Sequence, residues 1–338
     1  MQYELRYQVV EAKRHTYQNI IDRIGDEPAS RYLEGTLDIE PRDIFHYRPT
    51  WDSERELYDP RFSALRLTDS YSFLDPRQYY YTPYVTNRAA HHEEFGKTLS
   101  YLESRDILVK LPDTWRAIVR AAVIPLRHYE SGGQLISVAG SRFAYGTSLA
   151  QCCSFASFDR IGNAQMISRV GLAVGDGTAE ALESAKLDWM SATHLQPLRS
   201  LVEHIMVADD WAEALLALDM ADSLIYPLIF RGLDESALLT GGGAYSLVAQ
   251  YFTAWFADQR KWVDALLASW TADPETAATN VEVLTRIRDE WRPRALDAVR
   301  PIAAFIDENL PEAHAGVLLA DIDAAETAKW TALLGEQA

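Results

Sequence analysis

From Asp75 to the C-terminus the sequence offers one helix-compatible segment after another and almost no strand-like alternation. The pattern predicts helices over 76–105, 113–129, 131–160, 163–174, 178–190, 195–208, 209–232, 244–271, 275–291, 294–309 and 312–335. Pro112-Asp113 and Asp273-Pro274 mark starts, while Gly132-Gly133, Gly175 and Gly241-Gly242-Gly243 mark ends or junctions. A chain patterned in this way can bury its apolar faces only helix against helix, so the expected fold is an all-α bundle.

The stretch 136–158, ISVAGSRFAYGTSLAQCCSFASF, is rich in Gly, Ala and Ser. A helical glycine costs about 1 kcal/mol relative to alanine, so its use here implies unusually close helix neighbours. We read the stretch as a central helix. Upstream, DPRQYYYTPY (75–84) has Asp75 placed as an N-cap, Pro76 at the first helical position and Gln78 completing a capping box. On that helix Tyr79, Tyr80 and Tyr81 would sweep more than half the circumference, and one buried face could not hold them all. Pro83 is expected to kink or interrupt the helix before Tyr84.

Residues 1–70 lack a sustained period of 2 or 3.6 but carry many aromatics, so they are expected to form an extended arm lying on the helical body 71–338 or on another chain. The net charge of −17 disfavours sequence-independent binding of nucleic acid or anionic membrane. No stretch reaches the roughly 20 uninterrupted apolar residues of a spanning helix. The only cysteines, Cys152 and Cys153, are adjacent and cannot make a disulfide framework. With no apolar leader in MQYELRYQVVEAKRH, the expected compartment is the cytoplasm.

A long helical bundle could hold a carboxylate-bridged di-iron site, which needs two Glu-x-x-His pairs. The eight histidines are preceded three residues earlier by Ala12, Asp43, Arg88, Ala89, Pro125, Ser191, Leu201 and Pro311, so none belongs to such a pair. His91 with Glu94, Glu130 near His128, and the acidic turn Asp209-Asp210-Glu213 are the nearest substitutes. A solvated face, a helix cap or a buried ion pair explains them as well. GLAVGDG (171–177) lacks the strand-to-helix context of a nucleotide loop, and GTSLA around Ser148 lies inside the expected central helix and is no nucleophile elbow.

Six stretches carry a resemblance: GDEPASRYLE (25–34), DIFHYRPTWD (43–52), DPRQYYYTPYV (75–85), VIPLRHYE (123–130), DRIGNAQMISRVGL (159–172) and EWRPRA (290–295). Together, and in order, they resemble the β subunit of the hydroxylase in bacterial multicomponent phenol hydroxylases. Alkene monooxygenases have β subunits of similar size. The resemblance implies a ferritin-like helical subunit without iron ligands of its own. It further implies a catalytic α subunit carrying the di-iron centre in an α2β2 core, often a γ subunit, a regulatory coupling protein, and a reductase with FAD and a 2Fe-2S cluster. No catalytic, metal or cofactor residue is then expected on this chain. The aromatic motifs are expected at the subunit interface: Phe45, Tyr47, Arg48, Trp51, Tyr79, Tyr80, Tyr81 and Tyr84. The rivals are a catalytic helical oxidase whose atypical metal site gathers Glu130, Asp209, Glu213 and histidines in space, and a free-standing helical binding protein.

Overall fold

The centre of the protein is set by its most apolar helix, which is buried on every side, and the computed structural model builds the other helices around it. The structure describes residues 16–37, 39, 52, 54–56 and 59–336. Among the described residues thirteen α-helices follow in order: α1 (Gln18–Ile24), α2 (Arg31–Glu34), α3 (Tyr81–Glu103), α4 (Asp113–Ile118), α5 (Leu126–Phe143), α6 (Thr147–Val174), α7 (Glu180–Ser191), α8 (Gln196–Met206), α9 (Trp211–Tyr226), α10 (Leu233–Leu239), α11 (Gly243–Thr271), α12 (Ala277–Asn309) and α13 (Ala315–Leu334). Among the described residues there is no strand, in agreement with the all-α expectation.

The all-round burial of α9 follows from its sequence, WAEALLALDMADSLIY, in which Glu213 alone is not buried. Helices α5, α6 and α11 close a four-helix ring with α9, and α12 covers α9 from outside. The helix after α9 runs on through a π-helical turn at Pro227–Gly232, where the proline has no N–H to give the regular ladder. Close approach between α5 and its neighbours depends on its glycines. A Cβ at Gly132 would lie 2.3 Å from a Val202 methyl carbon, and one at Gly140 would lie 2.9 Å from Cys153 Sγ. Gly132 and Gly133 are therefore interior residues of α5 and not the junction expected from sequence.

Three other expectations are corrected. The supposed single helix over 131–160 breaks at 144–146, because the backbone of Ser70 presses on Gly146. Gly146 has φ +109°, and a Cβ there would meet the Ser70 carbonyl oxygen at 2.3 Å. Thr147 and Ser148 thus open α6 instead of lying mid-helix. Residues 275–291 and 294–309 are one helix, α12, which tolerates both Pro293 and Pro301.

The helix expected from Pro76 begins instead at Tyr81. Asp75 accepts hydrogen bonds from the Arg77 backbone N–H at 2.9 Å and from the Arg77 guanidinium, and its carbonyl closes a turn with the Gln78 N–H at 2.8 Å. Gln78 is left-handed, with φ +52°, which stops any helix there. Pro83 becomes the third residue of α3, where its missing N–H has no intrahelical acceptor to lose, so it neither kinks nor interrupts.

Described residues before α3 lie on the helical body. Ile20, Leu37 and Tyr71 form a small apolar cluster. The Tyr32 and Ser148 hydroxyls share a hydrogen bond at 2.7 Å, and the Asp75 N–H donates to Tyr32 Oη. Further on, residues 64–68 use the capping groups of two helices. Asp210, which caps α9, also accepts from the Ala64 N–H at 2.6 Å, and Asp273, before α12, accepts from the N–H and hydroxyl of Thr68.

Candidate functional site

Inside the four-helix ring, carboxylates do converge, but on an arginine. Glu130 of α5 and Asp222 of α9 flank Arg160 of α6; Arg160 Nη1 lies 3.2 Å from Glu130 Oε2, and Nη2 pairs with Asp222 Oδ2. All three side chains are buried. Tyr226 Oη donates to Glu130 Oε1 at 2.7 Å, Tyr129 Oη donates to Asp222 Oδ1 at 2.6 Å, and Asn163 Nδ2 donates to Tyr226 Oη at 3.1 Å. The guanidinium carbon sits 5.0 Å from the Trp255 ring centroid. Burial pushes both carboxyls upward against the pull of Arg160, because one guanidinium faces two of them. The oxygens that could ligate a metal are committed to Arg160 and the two tyrosines.

The rival metal set does not assemble. Asp209 is exposed in the turn before α9, Asp210 caps that helix, and Glu213 binds Arg286 and the Trp291 indole N–H. His128 stacks on Trp189, and burial, with Arg127 and Lys186 nearby, pushes its pKa down to about 4. Among the described residues no group of three or more His, Cys, Asp or Glu side chains could hold a metal ion. A di-iron group of the kind the fold suggests therefore does not fit these residues. Glu130 and Arg160 fall in two of the stretches that carry the resemblance, but nothing local joins them to each other or to Asp222, which lies in no such stretch.

A second buried network ties α3 to the ring. Arg88 donates to Asp159 and, at 2.8 Å, to Asp258; Arg77 pairs with Asp75 at 2.9 Å and approaches Asp258 at 3.5 Å. Burial works against Asp258, yet Arg88 and Arg77 hold its carboxyl below the ordinary range. Tyr84 donates to Asp159 at 2.8 Å and stacks on Phe155 with centroids 4.2 Å apart. The Tyr79 ring packs beside Arg77 and edge-on to Tyr84.

This network sorts the tyrosines. Tyr79 and Tyr84 are 8% and 6% exposed, inside the chain, whereas Tyr81 is 72% exposed and Tyr80 is half-buried. Tyr79 and Tyr80 precede α3 and are not on a helix. Phe45, Tyr47, Arg48 and Trp51 lie outside the described residues. The outer faces of α5 and α6 add Leu135, Val138, Phe158 and Ile161, all exposed, and Phe158 lies 6.4 Å from the Tyr84 ring. Sequence reasoning missed these four because an apolar residue in or beside a stretch expected to be a central helix reads as core.

No described helix is long and apolar enough to cross a membrane. Residues 51–274 match the family described as Methane/Phenol/Alkene Hydroxylase. The chain is 36% identical over 306 residues to the phenol 2-monooxygenase oxygenase component DmpL of Pseudomonas sp. (strain CF600), covering 90% of this chain and 91% of that one. It is 32% identical to the phenol 2-monooxygenase oxygenase component MhpL of Acinetobacter pittii (strain PHEA-2), covering 97% and 95%. The fold superposes on xenon-pressurised phenol hydroxylase from Pseudomonas sp. OX1 with a TM-score of 0.84 and 34% identity, over 95% of this chain and 98% of that chain. Toluene 4-monooxygenase, at 19% identity and a TM-score of 0.74 over 88% and 100%, shares the fold. With the family matched over most of its length and relatives aligned nearly end to end, the chain belongs to the methane/phenol/alkene hydroxylase family.

Proposed function

We propose that this chain is the non-catalytic β subunit of the oxygenase component of a cytoplasmic, phenol-hydroxylating monooxygenase. The observation that carries the reading is Arg160: in the ring where a bundle of this kind could gather metal-binding carboxylates, a buried guanidinium holds Glu130 and Asp222. The di-iron centre then belongs to a partner α subunit in an α2β2 core, joined in some systems by a γ subunit. A regulatory coupling protein and a reductase with FAD and a 2Fe-2S cluster complete the system. Phenol is favoured over a small alkane because the two phenol 2-monooxygenase relatives are 36% and 32% identical, against 22% for the small subunit of the propane 2-monooxygenase of Rhodococcus jostii (strain RHA1).

In this reading residues 1–70 are the arm and 71–338 the body, and the chain's contribution is to hold the iron-bearing subunit in shape. The exposed Tyr81, with Tyr80 and the neighbouring Phe158, would meet the partner, together with the FHYRP-x-WD residues Phe45, Tyr47, Arg48 and Trp51. Aromatic side chains at such positions are the usual anchors of obligate interfaces. Reconstitution tests the proposal. The purified chain alone should neither consume NADH nor hydroxylate phenol, and phenol turnover should require it together with the α subunit, coupling protein and reductase. Turnover by the chain alone, or full turnover by the other components without it, would refute the reading.

A further inference from the structure

Arg127 at the start of α5 and Arg169 towards the end of α6 flank an open groove of about 500 Å³, whose lining also includes Ser131, Gln134, Ile161 and Gln165. Among the described residues neither guanidinium has a carboxylate partner; Arg169 only touches Met166 Sδ at 3.8 Å and the Phe95 ring at 5.7 Å. Both arginines are half-buried. Several other half-buried arginines sit on aspartates, as Arg55 does on Asp52, Arg260 on Asp219 and Arg292 on Asp323, while Arg120 shares with these two the lack of a carboxylate partner among the described residues. The contrast is not for want of acids, since the chain has 49 Asp and Glu against 32 Lys and Arg. Lys186 of α7 brings a third positive charge close enough to act on the His128 ring at the groove's edge. Beside these cations Ile161 and Leu172 are exposed. The site is an apolar strip bordered by unpaired positive charge on a strongly acidic protein.

We propose that this groove seats an acidic segment of the iron-bearing partner subunit, its carboxylates pairing with Arg127 and Arg169 and an apolar side chain covering Ile161. The inference rests on the subunit reading and names the chemistry of one contact. Pairing would supply the counter-charges that these half-buried cations lack, and such pairs fix orientation and speed association. The overall charge of −17 disfavours a nucleic acid in the same groove.

The test uses the full chain and the purified α subunit of the same oxygenase. The double variant R127E/R169E should melt within a degree or two of wild type yet bind the α subunit at least tenfold more weakly, and R127Q/R169Q should show a smaller loss with a flattened dependence on salt. Carbodiimide coupling of the wild-type complex should join Lys186 to an aspartate or glutamate of the α subunit, located by mass spectrometry. Wild-type binding with unchanged affinity in R127E/R169E overturns the groove while leaving the subunit reading intact. Failure of the wild-type chain to bind the α subunit at all overturns both. A salt-sensitive self-association of the chain that R127E/R169E abolishes, with α binding unchanged, assigns the groove to a second copy and overturns the proposal.

Discussion

Arg160 shows how one side chain decides what a bundle centre can do. Its guanidinium answers two carboxylates that would otherwise be buried without a counter-charge. Removing one partner of a buried ion pair costs about 3–5 kcal/mol, whereas replacing all members with neutral groups of similar size is often tolerated. R160M should therefore lower unfolding free energy in urea by about that amount, and R160M/E130Q/D222N should recover much of the loss. An R160M variant as stable as wild type would mean that the cluster does not matter to the fold. The tyrosines give a second contrast. Tyr79→Ala, cut from between Arg77 and Tyr84, should destabilise the isolated chain by about 3 kcal/mol, as large aromatic cavities do. Tyr81→Ala, at an exposed position, should leave the melt unchanged and weaken α-subunit binding by about 2 kcal/mol if it is an anchor. Equal loss of stability in both variants would place Tyr81 in the core and contradict its interface role.

At the scale of elements, helix termini carry the long-range order. Asp273 collects the N–H and hydroxyl of Thr68 and of Thr276 before α12, so one carboxylate both starts a helix and pins the strap at 64–68. Burial opposes its charge, but these donors outweigh it and hold the carboxyl well below its ordinary value. A carboxyl lowered by folding adds stability that is complete above its unfolded pKa, about 3.9, and is lost as the pH falls through the folded value. Wild type should thus lose stability steadily below about pH 4, and D273N should lose less over the same interval. Identical pH slopes would show that Asp273 is not held as an anion.

What could be read from sequence at this scale follows from physics. The helices were legible because their apolar period is local. The break at 144–146 was not, because it is imposed by a distant group, Ser70 on Gly146; that at 76–80 was not, because Asp75 closes a turn with Arg77 and Gln78 where its sequence context reads equally as a helix cap. Pro293 misled in the opposite direction, since burial of Trp291, Ala295, Val299 and Ile302 outweighs its missing backbone bond. Of the candidate site, Tyr81 could be named from its motif, but the sorting of Tyr79 from Tyr81 depends on Arg88 and Phe155, contributed by α3 and α6.

For the whole molecule, the charged centre and the exposed apolar side chains fit the proposed role of a subunit that stiffens a partner. The ring of α5, α6, α9 and α11 is locked by Arg160, the second network ties α3 to it, and Tyr81, Val85, Leu135, Val138, Phe158 and Ile161 are among the apolar side chains left exposed, on α3, α5 and α6. In the proposed assembly iron resides in the partner and not here. The most direct measurement of this is iron content, by mass spectrometry, of the chain purified alone, of the α subunit and of the assembled complex, each grown with iron in excess. The chain alone should hold no more iron than a buffer control, and all iron in the complex should co-migrate with the α subunit on separation. Stoichiometric iron retained by the isolated chain, and lost in Glu130→Gln, would contradict the proposal.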